Sequence, residues 1–162
     1  MAIGLVISPD SMAIDIESGE LMTYPIETAR SILAAQPFSV LLGTVMTAFD
    51  EAGVELQLPV TGQLLQQHGF VHGGVLAYLA DNALTYAAAL PMGGGVLTAD
   101  MKLNYIRPAI GELLIARAQS ISAGKSQGVA RCDIFIVKDG EEKLCAAAQG
   151  TVFRSSTPGK AA

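Results

Sequence analysis

Between Gly73 and Leu90 only Asp81, Asn82, Thr85 and two tyrosines interrupt a run of Ala, Leu, Val and Gly. The run is helix-forming, and no face of it is polar enough for solvent. A helix apolar nearly all round is a buried helix, so the rest of the chain must be built to surround it. An ionised carboxylate is almost never buried unless something pairs with it. Asp81 is therefore the first candidate for a functional residue, against the competing reading of a carboxylate salt-bridged to an arginine.

The chain has 162 residues, enough for a single domain with a real core and no need of staples. Hydrophobic residues make up 51%, charged residues only 15%, and mean hydropathy is +0.42. Such a balance implies that monomer surface is covered by partner subunits. A net charge of -5 and a pI near 4.9 argue against a nucleic acid partner, which would demand clustered Lys and Arg. Cys132 and Cys145 fit neither a metal spacing nor a disulfide framework, and read as buried thiols of a reducing compartment. The apolar start, Met1 to Ile7, lacks a basic region and is broken by Pro9 and Asp10, a poor signal peptide. The run from Val75 to Leu90 is shorter than the roughly 20 residues a bilayer needs. These observations set a cytoplasmic protein as the expectation.

Along the chain, residues 1–24 show little periodicity and read as an extension, with the domain at 25–155 and a tail at 156–162. Pro25-Ile26-Glu27 opens a short helix to Ala35, stopped by Pro37. Thr44 to Phe49 and Val54 to Val60 form a hairpin about Asp50–Gly53, with apolar residues alternating with Glu55 and Gln57. The long helix ends at Pro91 and a flexible Gly93–Gly95 turn. Beyond it Val96–Ile106, Leu113–Ser122, Gly128–Lys138 and Lys143–Phe153 read as strands, the last two joined at Asp139-Gly140. The expectation is an α+β domain, an antiparallel sheet of five or six strands curled around one long central helix.

The segment His72-Gly73-Gly74, followed by Leu79-Ala80-Asp81-Asn82 and then Thr98 to Ala109, resembles the hotdog-fold acyl-CoA thioesterases of the phenylacetate-pathway (PaaI-like) type. The resemblance spans Ile26 to Arg154 and implies hydrolysis of an acyl-CoA or aryl-CoA thioester. It implies no metal or other cofactor, coenzyme A entering only as part of the substrate. It gives Asp81 as nucleophile or general base and Gly73 as backbone oxyanion donor. Gln66 falls where relatives carry Asn or Gln to orient water or carboxylate, and Thr85 and Thr98 fall where relatives carry supporting hydroxyls. Loops near Gly124-Lys125-Ser126 approach the coenzyme A phosphates in the family. Arg107, Lys125, Ser126 and Arg154 are the candidates for gripping that end, against a reading as ordinary surface charge. Gly74 joins them where the substrate meets backbone.

Chemistry agrees with this implication. A thioester needs a polarised carbonyl and a carboxylate, whereas its thiolate leaves without strong acid help. Gly73 and Gly74 open a helix whose free amides and positive dipole end suit an oxyanion, although tight packing would also favour glycine there. His72 reads first as the residue fixing the turn into the helix, and His68 as a loop residue. Tyr78, Tyr86 and Phe70 are candidates for an acyl or aryl pocket, with core filling as the other use. Gly73 and Asp81 on one helix are about 12 Å apart, too far for one carbonyl to touch both. An antiparallel pair of helices across a twofold axis solves this, so a homodimer is the expected minimal unit and a tetramer is compatible. Two other readings stand beside hydrolysis: a non-catalytic acyl-CoA binding or sensing module, and a hotdog enoyl-thioester hydratase, which would pair an aspartate with a nearby histidine in a different motif.

Overall fold

A computed structural model describes residues 25–155; the expectations for 1–24 and 156–162 lie outside the described residues. Two short helices, α1 (Ile26–Ala34) and α2 (Pro37–Leu42), lead into a hairpin of β1 (Val45–Asp50) and β2 (Gly53–Pro59). A single 3₁₀ turn, Gly62–Leu64, precedes the central helix α3 (Gly73–Met92). Four strands follow: β3 (Val96–Tyr105), β4 (Leu113–Ala123), β5 (Gln127–Lys138) and β6 (Glu141–Arg154). They join the hairpin in one antiparallel sheet of order β1-β2-β4-β5-β6-β3. The sheet wraps α3, which is the expected hotdog architecture with six strands.

Period-two alternation decides which side chains meet the helix. Leu56 and Leu58 of β2, Leu114, Ala116 and Ala118 of β4, and Ala130, Cys132 and Ile134 of β5 are all buried on the inner face. The alanines matter because a small side chain lets a curled sheet approach a helix closely. From inside, Leu79, Ala80, Ala83 and Leu84 of α3 are closed off from solvent. Each large aliphatic side chain so buried contributes about 1.5–3 kcal/mol. On the outer face Arg117 of β4 lies opposite Glu55 of β2 and bonds both Glu55 and Glu142, over the ring of Phe135.

Two boundaries differ from the sequence reading. Pro37 ends α1 and also starts α2, a helix of six residues with Pro at its first position and Gly43 in a left-handed cap at φ 73°. The long helix passes through Pro91 to Met92, because its end is well capped. Gly93 adopts φ 78°, the Gly94 amide donates to the Ala89 carbonyl at 2.9 Å, and the Arg154 guanidinium donates to the Met92 carbonyl. The glycine run is a defined turn, with φ of 78°, 78° and 60° at Gly93, Gly94 and Gly95, a path closed to most other residues.

Candidate active site

The acid half of the site is built by α3 and β3. Thr98 Oγ1 donates to Asp81 Oδ1 at 2.8 Å, the Thr98 and Thr85 hydroxyls lie 2.8 Å apart, and Thr85 Oγ1 donates to the Asp81 carbonyl at 2.7 Å. Both threonines are buried and Asp81 is half-buried. Loss of water pushes the Asp81 carboxyl above the usual carboxylate range, and the Thr98 hydrogen bond opposes that shift. The ion pairs among the described residues are Arg30–Glu27, Arg117–Glu55, Arg117–Glu142 and Lys143–Glu141, so none neutralises Asp81. The chain thus holds a desolvated carboxylate supported by hydroxyls, with the properties of a base or nucleophile.

The donor half lies at the start of the same helix. His72 is the N-cap: its Nδ1 accepts from the Gly74 amide and its carbonyl from the Val75 amide, both at 2.9 Å. These bonds leave the Gly73 amide, first of the helix, with no acceptor among the described residues. The loop before it is held by Val71 donating to Ala109 at 3.0 Å and His72 to Leu64 at 2.8 Å. Gln66, Phe70, His72, Gly73, Gly74 and Arg107 line one groove of about 590 Å³. His68 stands outside it, exposed, with its ring 6.5 Å from that of Phe70.

A residue the sequence reading passed over closes this half. Tyr105, at the end of β3, donates its hydroxyl to the Gly73 carbonyl at 3.1 Å and lines the same groove. Thr98 and Tyr105 are seven positions apart, which in a regular strand puts them on opposite faces. Pairing with β6 slips between Thr98 and Asp100, a bulge at Ala99 that reverses the phase. Both side chains therefore reach α3, one at Asp81 and the other at Gly73.

One protomer so contains two separated halves. Asp81, Thr85 and Thr98 form an acid cluster, while Gly73, Gln66 and Arg107 line a groove whose wall includes neither Asp81 nor any other carboxylate.

A family model described as "Thioesterase superfamily" matches residues 68–143, the stretch that carries Gly73, Asp81, Thr85, Thr98 and Arg107. The acyl-coenzyme A thioesterase PaaI of Escherichia coli is 34% identical over 114 residues, 70% of this chain and 79% of that protein. A crystal structure of a thioesterase family protein from Silicibacter pomeroyi superposes with a TM-score of 0.73 at 35% identity, covering 76% of this chain and 93% of that one. The chain belongs to the thioesterase superfamily. The 1,4-dihydroxy-2-naphthoyl-CoA hydrolase of Listeria monocytogenes is a more distant relative, 29% identical over 64% of this chain and 85% of that protein. Thioester hydrolysis is accordingly the reaction class of this thioesterase-superfamily chain.

The other residues singled out in the sequence fall elsewhere on the thioesterase fold. Arg107 alone of the four phosphate-gripping candidates lies beside Gly73. Lys125 and Ser126 sit in the β4–β5 hairpin at the opposite end of α3, tied to Arg154 through its bonds to the Lys125 and Ser126 carbonyls. The Arg154 side chain also secures the helix end, a structural task. Tyr86 is core, whereas Tyr78 is half-buried and bonded to Ser39 and Thr44. Cys132 and Cys145 are free and buried, and burial pushes their thiols up to about 12 and about 11, so neither is a nucleophile at neutral pH. Among the described residues no group of three or more His, Cys, Asp or Glu is placed to hold a metal, and no helix is long and apolar enough to cross a membrane.

Proposed function

We propose that this chain hydrolyses an acyl-CoA or aryl-CoA thioester at sites shared between the two protomers of a homodimer. The observation that carries this reading is the separation of the halves: a desolvated acid on the one side, and on the other a free helix amide in a groove whose lining holds no acid. The names of the relatives, an acyl-CoA thioesterase and a naphthoyl-CoA hydrolase, support the substrate class. Strand β3 supports the assembly, since among the described residues it is an edge of the sheet. An antiparallel pairing of β3 with its own copy, centred on Lys102 and with Ala99 as the extra residue, sets Thr98 opposite the partner's Tyr105. Asp81 then faces the partner's Gly73. Exposed Tyr105, Ile106 and Ile110 at that end of the fold are surface that such a partner covers.

In this arrangement the thioester carbonyl oxygen accepts from the Gly73 amide, aided by the positive end of α3. Asp81 of the other protomer either attacks the carbonyl carbon, giving an anhydride that water then opens, or removes a proton from the attacking water. Both routes end in a carboxylate and a free thiol, and the thiolate leaves without an acid at sulfur. Burial strengthens Asp81 for either task, because a base of raised pKa gains more from the proton it takes. Gln66 and Arg107 line the groove, and on this reading the Gln66 amide holds the water and Arg107 grips the nucleotide phosphates.

Thiol release from a panel of acetyl-, octanoyl- and phenylacetyl-CoA tests the proposal. Wild-type protein is expected to release thiol steadily from at least one ester, and Asp81→Asn to lower kcat about a thousandfold with the dimer intact. Binding of the esters without turnover by wild-type protein would replace hydrolysis with a binding module.

A further inference from the structure

We infer that Tyr105 is a positioning residue for the Gly73 amide, an assignment that rests on the oxyanion role just proposed for that amide. The peptide unit between Gly73 and Gly74 is held from two sides. Its carbonyl accepts the Tyr105 hydroxyl at 3.1 Å, and its N–H donates to His72 Nδ1 at 2.9 Å. One peptide plane is pinned at both poles by two side chains. The plane before it carries the free Gly73 N–H, and its carbonyl is held by the Val75 amide. Fixing both planes fixes the direction of the one donor left over. A preorganised donor of this kind stabilises developing charge without reorganising during reaction.

Three further observations assign Tyr105 to that task and not to the core. Within its own protomer the residue is 58% exposed, so packing in that protomer's core is a minor part of what it contributes. The ring lies over Gly73, where an added Cβ would stand 3.2 Å from the hydroxyl oxygen and 3.3 Å from two ring carbons. Glycine at 73 is thus what lets the tyrosine close down on the helix start. Finally, Tyr105 reaches Gly73 only because the bulge at Ala99 reverses the strand's phase after Thr98. One irregularity in β3 aims a hydroxyl at each half of the site.

The test compares wild-type with Tyr105→Phe, which keeps the ring and removes only the hydroxyl. Thiol release from the three-ester panel, thermal melting, and the ¹H–¹⁵N resonance of Gly73 are measured on both proteins. The expected result is a kcat about fivefold lower, the size of one lost neutral hydrogen bond, with KM within about twofold of wild-type and Tm unchanged. The Gly73 resonance shifts and its amide exchanges faster. An unchanged kcat overturns the inference, and so does a fall in kcat that follows a fall in Tm. If wild-type protein hydrolyses none of the esters, the proposed activity fails separately. The resonance then decides: a shifted Gly73 signal upholds the positioning and an unmoved one overturns it.

Discussion

Gly73 and Asp81 lie eight residues apart on one unbroken helix, which fixes their Cα atoms about 12 Å apart. No side-chain rearrangement shortens a distance set by helix rise. In the proposed shared site each half finds its counterpart on another chain, and the consequences can be measured residue by residue.

Asp81 is held above its ordinary pKa by burial. A carboxyl raised in the folded state contributes stability that is complete below its unfolded pKa and is lost as pH rises through the folded value. Ionised Asp81 therefore weakens the fold at neutral pH. Asp81→Asn is expected to raise Tm at pH 7.5, with the gain shrinking as pH falls to the ordinary carboxylate range. Melting curves across that window check it, and an equal or lower Tm for the variant at pH 7.5 contradicts it.

Activity should rise with pH through the same raised value, because the carboxylate is the working form. Thr98 donates to that carboxylate and pulls its pKa down. Thr98→Val is expected to move the acidic limb of the kcat profile to higher pH and to slow turnover about tenfold on that limb. Thr98→Ser should restore the wild-type profile. A limb that stays in place in the valine variant would show that Thr98 does not act on Asp81.

Gly73→Pro deletes the oxyanion donor and, through its added Cβ, also pushes back the Tyr105 side chain. Proline suits the first position of a helix, where its missing N–H has no helical partner. His72 already has φ -63° and ψ 134°, the extended conformation required before proline. The main steric demand is a small shift of the Tyr105 tip. The variant is expected to fold and dimerise, yet to lose about a hundredfold or more in kcat. Retention of wild-type kcat would move the oxyanion site elsewhere.

How legible these features are depends on the range over which each is encoded. An apolar helix with one acid declares itself within twenty residues, so α3 and Asp81 stand out from the sequence, as do the strands with their alternating Leu56, Gln57 and Leu58. Helix α2 is too short for periodicity to show, although Pro37 and Gly43 mark both its ends. Tyr105 stays hidden because its role depends on a bulge earlier in the same strand, and Ala99 carries no local sign of one. Arg107 and Arg154 look alike in sequence. Folding sends one to the groove beside Gly73 and the other to the far end of the helix.

The most direct test of the shared site is a heterodimer of Asp81→Asn with Gly73→Pro, co-expressed with two different tags and purified through both. Each parent homodimer is crippled at both sites. In the heterodimer, intact Asp81 of one chain meets intact Gly73 of the other at a single site, so about half of wild-type turnover per dimer should return. Turnover no higher than that of the parents would mean that acid and donor act within one chain, and would contradict a site divided between protomers.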